Sequence, residues 1–304
     1  MGNTFFFEWE IGFILWAQTF VNEITTFLAK VLQICGEEYV LIFVLGLLYW
    51  GIDKKLGRRA SLAMTGSMLF GTLIKGLVLR RRPYMDNKQI KCITPAHKEA
   101  DIMSVKEQGY SFPSLHSAMS AATYGMIAVS TKKKVTIAIG IIVPLLIGLS
   151  RPFLGVHYPT DVLMGWALGI VSIIVLDTIE NKYGYKTAFL TPLIIGVVGF
   201  FYCTDTEFYS SYGVTLGLFL GFMFEEKFVK FEFCKKWWTY VIRPLGGVAT
   251  FYILSLILNM PMQYLTFEET NAVSLIYRLF RYTFSTFATI GVYPLVFKLC
   301  KNKF

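Results

Sequence analysis

Charged residues are scarce in this 304-residue chain. Asp, Glu, Lys and Arg make up 16% of it, hydrophobic residues make up 55%, and the mean hydropathy is +0.53. Soluble domains carry about 25% charged residues. Long apolar stretches separated by charged clusters instead indicate a bundle of helices that cross a bilayer. The formal charge of +9 then reflects Lys and Arg kept on one membrane side, and no basic-aromatic module predicts nucleic-acid binding.

Patterns for metal binding and redox chemistry are also missing. The five cysteines are scattered, and no Cys-x-x-Cys pair suggests a zinc or redox site. The chain has only three histidines, and no cluster of oxygen or sulfur ligands suits a divalent ion. We therefore expect neither a metal nor another cofactor.

The apolar runs predict an all-α, multi-pass transmembrane bundle of about eight to ten spans, since a helix needs roughly 20 residues to cross a bilayer. The clearer runs cover residues 39–52, 60–79, 114–130, 135–149, 162–179, 188–203, 212–224, 240–258 and 282–300. An earlier run, 11–34, contains the polar residues Gln18, Asn22, Glu23 and Lys30. This first run either crosses the bilayer or lies in its interface.

Charge in the loops predicts which side of the membrane they face. With these spans, the lysine-rich loops all fall on one face, at residues 54–59, 132–134, 182–186, 227–236 and 298–303. The positive-inside rule makes that face cytoplasmic. The opposite face receives Glu37 and Glu38, the loop 204–211, Glu268 and Glu269, and a long polar loop, 80–112. A loop of that length between spans suggests function.

The first of three short motifs on the outer face contains Lys75 and Arg82-Pro83. Seven positions are two helical turns, so Lys75 and Arg82 are expected to project from one side of the third segment. A snorkelling lysine beside an interfacial basic cluster is the alternative. However, a lysine so deep in an apolar run usually has an anionic partner.

The second motif, Pro113-Ser114-Leu115-His116, opens the fourth segment. Proline and serine suit a helix start, where exposed backbone amides can bind an anion. An ordinary helix cap with a histidine at the water boundary would have the same sequence.

The third motif contains Ser150-Arg151 and, further on, His157 and Asp161. If Pro159 begins the sixth segment, His157 and Asp161 are one turn apart. A carboxylate there can hold one imidazole N–H and leave the other ring nitrogen as a nucleophile. Alone, this spacing also fits a simple pair on a helix surface.

Together the motifs favour a phosphate site over these separate alternatives. Two of the three histidines fall in them, on the same predicted face as a lysine, two arginines, a serine and a helix start. Phosphoryl transfer needs cations and amides for the phosphate oxygens, a nucleophile, and an acid for the leaving oxygen.

The order Lys-x6-Arg-Pro, Pro-Ser-x-His and Ser-Arg-x5-His-x3-Asp resembles the type 2 phosphatidic acid phosphatases, a family of lipid phosphate phosphatases related in fold to vanadium haloperoxidases. The resemblance implies that His157 becomes a phosphohistidine, that Asp161 orients it, and that His116 protonates the leaving alcohol. It also implies phosphate binding by Lys75, Arg82, Ser114, Ser150, Arg151 and the backbone amide of Leu115.

Leu115 departs from the family pattern, which usually has glycine at this position. Leucine keeps the amide N–H, so phosphate binding can survive. Its side chain either lines the pocket beside the leaving oxygen or packs against the fifth or sixth segment.

The resemblance implies an integral membrane phosphatase that hydrolyses a lipid phosphomonoester or diphosphate without a metal. A lipid phosphotransferase and a non-catalytic transporter or scaffold remain as alternatives. We divide the chain into an N-terminal membrane or interfacial helix (1–38), a phosphatase core (39–184) and additional C-terminal transmembrane helices (185–304). Expected partners are the lipid phosphate and membrane lipids, with Arg278 and Arg281 touching headgroups or snorkelling. The particular lipid and the oligomeric state are left open.

Overall fold

The computed structural model describes residues 2–97, 100–234, 236–264 and 271–299. Glu268, Glu269 and the last lysines of the predicted cytoplasmic series lie outside these ranges, as does the end of the 282–300 segment. The regular structure of the described residues is helical, which confirms the all-α prediction. The helices are α1 (Glu8–Gln18), α2 (Glu23–Gly36), α3 (Glu38–Leu47), α4 (Lys54–Val78), α5 (Pro83–Asp86), α6 (Val105–Gln108), α7 (Leu115–Thr131), α8 (Lys134–Phe153), α9 (Pro159–Tyr183), α10 (Tyr185–Gly196), α11 (Thr206–Phe224), α12 (Thr239–Tyr264), α13 (Ala272–Phe287) and α14 (Leu295–Leu299).

Four of these helices, α4, α8, α9 and α12, are long and apolar enough to cross a membrane. The pair α1 and α2 adds a fifth crossing if it counts as one broken span. Helix α3, extended by a π-helical turn to Ile52, and α10, extended by a 3-10 turn to Phe201, are apolar but shorter. The protein is thus embedded in a membrane, while the count of about eight to ten spans stays a prediction.

The first apolar run is two helices, not one, because α1 and α2 meet at an angle of 119°. Asn22, one of the polar residues within the run, starts α2. Its side-chain oxygen accepts a hydrogen bond from the Thr25 amide at 3.0 Å, and its own amide donates to the Thr25 hydroxyl at 3.0 Å. Ahead of α1, the Asn3 amide donates to the Leu79 carbonyl at 2.7 Å, and the Arg81 amide donates to the Asn3 carbonyl at 3.0 Å. These bonds attach the N-terminal segment to the end of α4.

The last predicted span, 282–300, begins too late, because α13 already starts at Ala272. Arg278 and Arg281 interrupt the apolar run in the sequence but lie inside the helix. The Arg278 Nε donates to the Ser210 hydroxyl at 2.7 Å, and the Arg281 guanidinium donates to the side chain of Asn259. Both arginines therefore bond neighbouring helices.

Helix α4 lies at the centre of the bundle. Within its apolar window 72% of the residues are buried, against 22% for α12. Helix α7 packs against α4, α8 and α9, and α11 packs against α4 and α13. Glycines allow the closest approaches: a Cβ at Gly165 of α9 would lie 2.5 Å from the Ser114 carbonyl oxygen, and one at Gly217 of α11 would lie 2.5 Å from the Thr283 carbonyl oxygen. Small residues of this kind let membrane helices pack backbone to backbone.

The chain direction separates the two ends of the bundle. Helices α4 and α8 begin at lysine-rich segments and end at motif residues, whereas α7 and α9 begin at motif residues and end near lysines. At the lysine-rich end, Lys54 pairs with Glu225 at 2.7 Å. The three motifs thus share one end of the bundle, opposite the lysine clusters at residues 54–59 and 132–134.

Candidate active site

The site is built where four helix ends meet. Lys75 lies in the last turn of α4, Ser114 caps the start of α7, Arg151 lies in the last turn of α8, and Asp161 lies in the first turn of α9. The Ser114 amide donates to the Asp161 backbone carbonyl at 3.0 Å and so joins the starts of α7 and α9. All four side chains are buried.

Arg82 reaches the site from a loop, which corrects the expectation that it shares a helix face with Lys75. Helix α4 stops at Val78 because Leu79 takes a left-handed conformation, with φ of 54°. Beyond this turn the Arg82 guanidinium donates to the Gln108 carbonyl at 2.7 Å and to the Val156 carbonyl at 3.1 Å. Arg82 thus fastens the long polar loop to the residue before the predicted nucleophile.

His157 is paired with a fully buried carboxylate. Its Nδ1 lies 3.4 Å from Oδ2 of Asp161. The same oxygen accepts from the Tyr158 amide at 2.8 Å, and Oδ1 accepts from Nη1 of Arg80 at 2.7 Å. With Nδ1 turned toward Asp161, Nε2 is the ring nitrogen that remains available as a nucleophile.

Arg80, which the sequence analysis did not assign to the site, connects Asp161 to the N-terminal helix. Its Nη2 donates to Oε2 of Glu10 at 2.7 Å, its Nε donates to the Phe5 carbonyl at 3.0 Å, and its guanidinium lies 3.8 Å from the ring centroid of Tyr158. A buried charge is costly unless it is paired. The signal that could have revealed the pair was Glu10, an acidic residue within an aromatic, apolar stretch.

The position of His157 keeps its imidazole neutral. Burial lowers the pKa of His157 well below its usual value, and the positive charges of Arg82, Arg151 and Lys75 lower it further. A neutral imidazole has the free electron pair that a nucleophile needs.

Arg151 carries guanidinium donors that the protein leaves unbonded. Its Nε and Nη1 are buried and have no hydrogen-bond partner among the described residues. Buried donors of this kind fit the oxygens of a phosphate, which arginine binds well. The hydroxyls of the two predicted serines already make hydrogen bonds within the protein. Ser150 donates to the Ile147 carbonyl at 2.7 Å, and Ser114 accepts from the Ser117 hydroxyl at 3.0 Å.

Lys75 has an anionic partner, as its position deep in an apolar run predicts, but this partner is a side chain of the protein and not a phosphate. Its Nζ lies 2.7 Å from Oε2 of Glu207 on α11. Glu207 also interacts electrostatically with Arg82. Sequence reasoning missed Glu207, because nothing near it in the chain resembles a motif.

His116 faces a carboxylate of its own. Its Nε2 lies 3.4 Å from Oε1 of Glu37, in the junction between α2 and α3. Burial alone would raise the pKa of Glu37, but the nearby His116 and a hydrogen bond from Gln33 at 3.1 Å bring it down to about 2. Glu37 is therefore a carboxylate at neutral pH. It favours a protonated His116, whereas burial and the positive charge of Arg151 oppose that protonation and outweigh it.

Leu115 directs its side chain toward α4. Its Cδ2 would lie 2.5 Å from a Cβ at Gly71, and the side chain packs against a core cluster that includes Met64 and Met68. The side chain therefore packs, as in the second alternative, but this contact is with α4, the third predicted segment, and not with the fifth or sixth. The backbone amide of Leu115 lies at the first position of α7.

The arrangement brings together three cations, a neutral histidine with its carboxylate, and a second histidine with another carboxylate. In the ranges that the structure describes, no group of three or more His, Cys, Asp or Glu side chains could hold a metal ion. The nine residues predicted for the site lie at this one end of the bundle.

Two matches to known families cover most of the chain. The PAP2 superfamily matches residues 57–184, which contain all three motifs. The match described as "PAP2 superfamily phosphatase, transmembrane extension" covers residues 209–303. The chain belongs to the PAP2 superfamily. Glu207 lies just before the extension, on the helix that leads into it.

Two relatives among curated PAP2-like proteins are similar over part of the chain. Undecaprenyl-diphosphatase of Sulfolobus acidocaldarius is 30% identical over 150 residues, which are 49% of this chain and 66% of that protein. Phosphatidylglycerophosphatase B of Bacillus subtilis is 37% identical over 87 residues, which are 26% of this chain and 43% of that protein. The matched part thus spans just under two thirds of one relative and less than half of the other. No solved structure matches this PAP2 superfamily chain.

Proposed function

We propose that this protein hydrolyses a phosphomonoester or diphosphate of a membrane lipid through a phosphohistidine at His157. The observation that carries the proposal is the neutral, buried imidazole 3.4 Å from Asp161, with three cations around it. The names of both relatives, one a lipid diphosphatase and one a phosphatidylglycerophosphatase, support a lipid phosphate as the substrate.

In the first step, Nε2 of His157 attacks phosphorus, and the bond from phosphorus to the lipid oxygen breaks. His116 donates its proton to that oxygen, so the lipid leaves as an alcohol, or as a monophosphate if the substrate is a diphosphate. Lys75, Arg82 and Arg151 stabilise the negative charge on the equatorial oxygens.

In the second step, water attacks the phosphohistidine. His116, now neutral, accepts a proton from the water as the bond from nitrogen to phosphorus breaks, and inorganic phosphate leaves. The protein side chains themselves supply the positive charge, so the proposed route runs without a metal ion.

The test is phosphate release by the purified protein from phosphatidate, phosphatidylglycerol phosphate, a polyprenyl diphosphate and a sphingoid base phosphate. His157→Ala should lower the rate at least about a thousandfold, because the covalent route is lost. His97→Ala, which replaces the histidine outside the motifs, should keep most of the activity. Orthovanadate should inhibit, and EDTA should not abolish turnover.

Four outcomes would contradict the proposal. A His157→Ala variant near the wild-type rate would exclude this nucleophile, and loss of activity in EDTA would exclude a metal-free route. Phosphate that appears on an added alcohol instead of in solution would identify a phosphotransferase, whereas lipid movement without phosphate release would identify a transporter.

We also propose that the active-site end faces away from the cytoplasm. The lysine clusters at the opposite end support this orientation through the positive-inside rule. In a background without native cysteines, an impermeant maleimide on intact cells should label Gln89→Cys but not Lys133→Cys. The reverse labelling would place the chemistry inside the cell.

A further inference from the structure

A cavity lies between the core helices and the C-terminal extension. Helices α3 and α4 line one side, and α11, α12 and α13 line the other. Counted as the space open to the centre of a water-sized sphere, its volume is about 60 Å³, several times the roughly 10–15 Å³ that one water molecule needs by the same measure. Apolar side chains such as Met64, Val214 and Leu218 form most of the wall. The lining hydroxyls of Ser61 and Thr289 donate to carbonyls of their own helices. The hydroxyl of Thr286, which also lines the cavity, has no hydrogen-bond partner among the described residues, so the wall is mostly but not wholly apolar.

The cavity is long in the direction of the bundle axis. Helix α3 and its π-helical turn line it from Glu38, at the active-site end, to Trp50, near the lysine-rich end. At a helical rise of 1.5 Å per residue this is about 18 Å. The hydrocarbon part of one leaflet is roughly 15 Å thick, half of a bilayer core of about 30 Å, so the cavity is about as long as one leaflet is thick. Trp50 is 1% exposed and its ring fills the space beside Gly46 and Gly247, so the far end is closed.

The Glu38 end of the cavity adjoins the part of the chain that faces His116. Glu38 lines the cavity and directly follows Glu37, which lies 3.4 Å from His116. In the proposed reaction His116 protonates the oxygen that carries the lipid. The hydrocarbon chain must therefore leave the site on the His116 side, where the cavity begins.

We infer that this cavity binds one linear hydrocarbon chain, alkyl or isoprenoid, of the lipid phosphate substrate. The inference rests on the proposed function for the position of the headgroup. It assigns chain recognition to the extension, whose helices α11 and α13 form the wall facing α4. Because a lipid chain is as well solvated in the bilayer as in protein, the cavity selects by shape rather than by hydrophobic gain.

The experiment uses a long-chain alkyl phosphonate that carries a diazirine at the end of its chain and cannot be hydrolysed. After illumination of the full-length protein in lipid nanodiscs, mass spectrometry should find the label on Trp50, Met64 or Leu218. Val214→Phe fills the cavity and should lower this labelling at least about fivefold. A fivefold loss corresponds to the smallest free-energy cost that overpacking usually has. Val171→Phe makes the same change on the outer surface, where Val171 is 52% exposed, and should leave the labelling unchanged. Leu218→Phe, a smaller change in volume, serves as the second cavity variant if Val214→Phe does not fold.

Labelling confined to outward-facing residues would overturn the inference, as would undiminished labelling in a folded cavity variant. Equal labelling by a neutral alkyl diazirine of the same length would also overturn it, since the cavity would then hold any membrane lipid. The phosphonate is not turned over, so the result does not depend on hydrolysis. Cavity labelling in a protein that releases no phosphate from any lipid would keep the chain site and remove the proposed activity.

Discussion

Replacement of Glu207 by glutamine tests whether the protein's own carboxylate competes with the substrate for Lys75. The substitution keeps the size of the side chain and removes its charge. Because Nζ of Lys75 lies 2.7 Å from the carboxylate, a phosphate that binds this lysine must displace Glu207 or share the cation with it. We therefore expect Glu207→Gln to bind phosphate oxyanions more tightly.

The size of the effect follows from the exposure of the pair. Two unit charges at 4 Å interact by about 4 kcal/mol at an effective dielectric constant of 20. The Glu207 side chain is 39% exposed, so solvent screening reduces the net effect to about 1 kcal/mol. This corresponds to roughly fivefold tighter binding.

The assay is the inhibition constant of orthovanadate, measured on wild type and on Glu207→Gln at equal ionic strength. Glu226→Gln is the matched control, because it removes the same charge beyond the other end of α11. An unchanged or larger inhibition constant for Glu207→Gln would refute competition. It would show that Glu207 instead holds Lys75 in the orientation that phosphate needs.

Two further substitutions test the carboxylates beside the histidines. Arg80→Met leaves Asp161 without its buried cation and should cost about 3–5 kcal/mol of stability. The variant should therefore unfold at a lower temperature than both the wild type and Arg81→Met, a control at a partly exposed arginine. Equal unfolding temperatures would contradict this prediction. Glu37→Gln removes the negative charge that favours protonated His116, so the basic limb of the pH profile of kcat/KM should move to lower pH by about half a unit or more. The pKa of Glu37 is about 2, so the carboxylate is charged across the assay range. If the basic limb lies at the same pH in wild type and in Glu37→Gln, Glu37 does not support the protonation of His116.

The motif residues were predictable because each lies at a helix end that has a local sequence signal. Ser114 is a typical N-cap and Pro159 a typical first helical residue, so the starts of α7 and α9 could be placed before the structure was known. The contact between Lys75 and Glu207 joins residues 132 positions apart, and no local pattern predicts such a partner. The sequence did not predict the end of α4 for another reason. Glycine normally takes the left-handed conformation that ends a helix, and here a leucine takes it.

The assignment of spans shows the same limit. Arginines inside a helix look like span boundaries when only hydropathy is read, as the partly buried Arg278 and the buried Arg281 did for α13. The structure shows that neighbouring helices supply their partners, which the sequence reveals only after the packing is known.

The attachment of residues 3–10 to Arg80 has a practical consequence for anyone who purifies this protein. Phe5 and Glu10 accept hydrogen bonds from the arginine that bonds Asp161, and Asn3 bonds the backbone of the residues on either side of that arginine. A cleavable affinity tag whose removal trims even these few residues would leave the Asp161 carboxylate, which faces the proposed nucleophile, without the support of Arg80. Such a preparation could still be helical and monodisperse yet inactive, so the integrity of the N-terminal segment should be verified by mass spectrometry before any substrate is judged not to be hydrolysed.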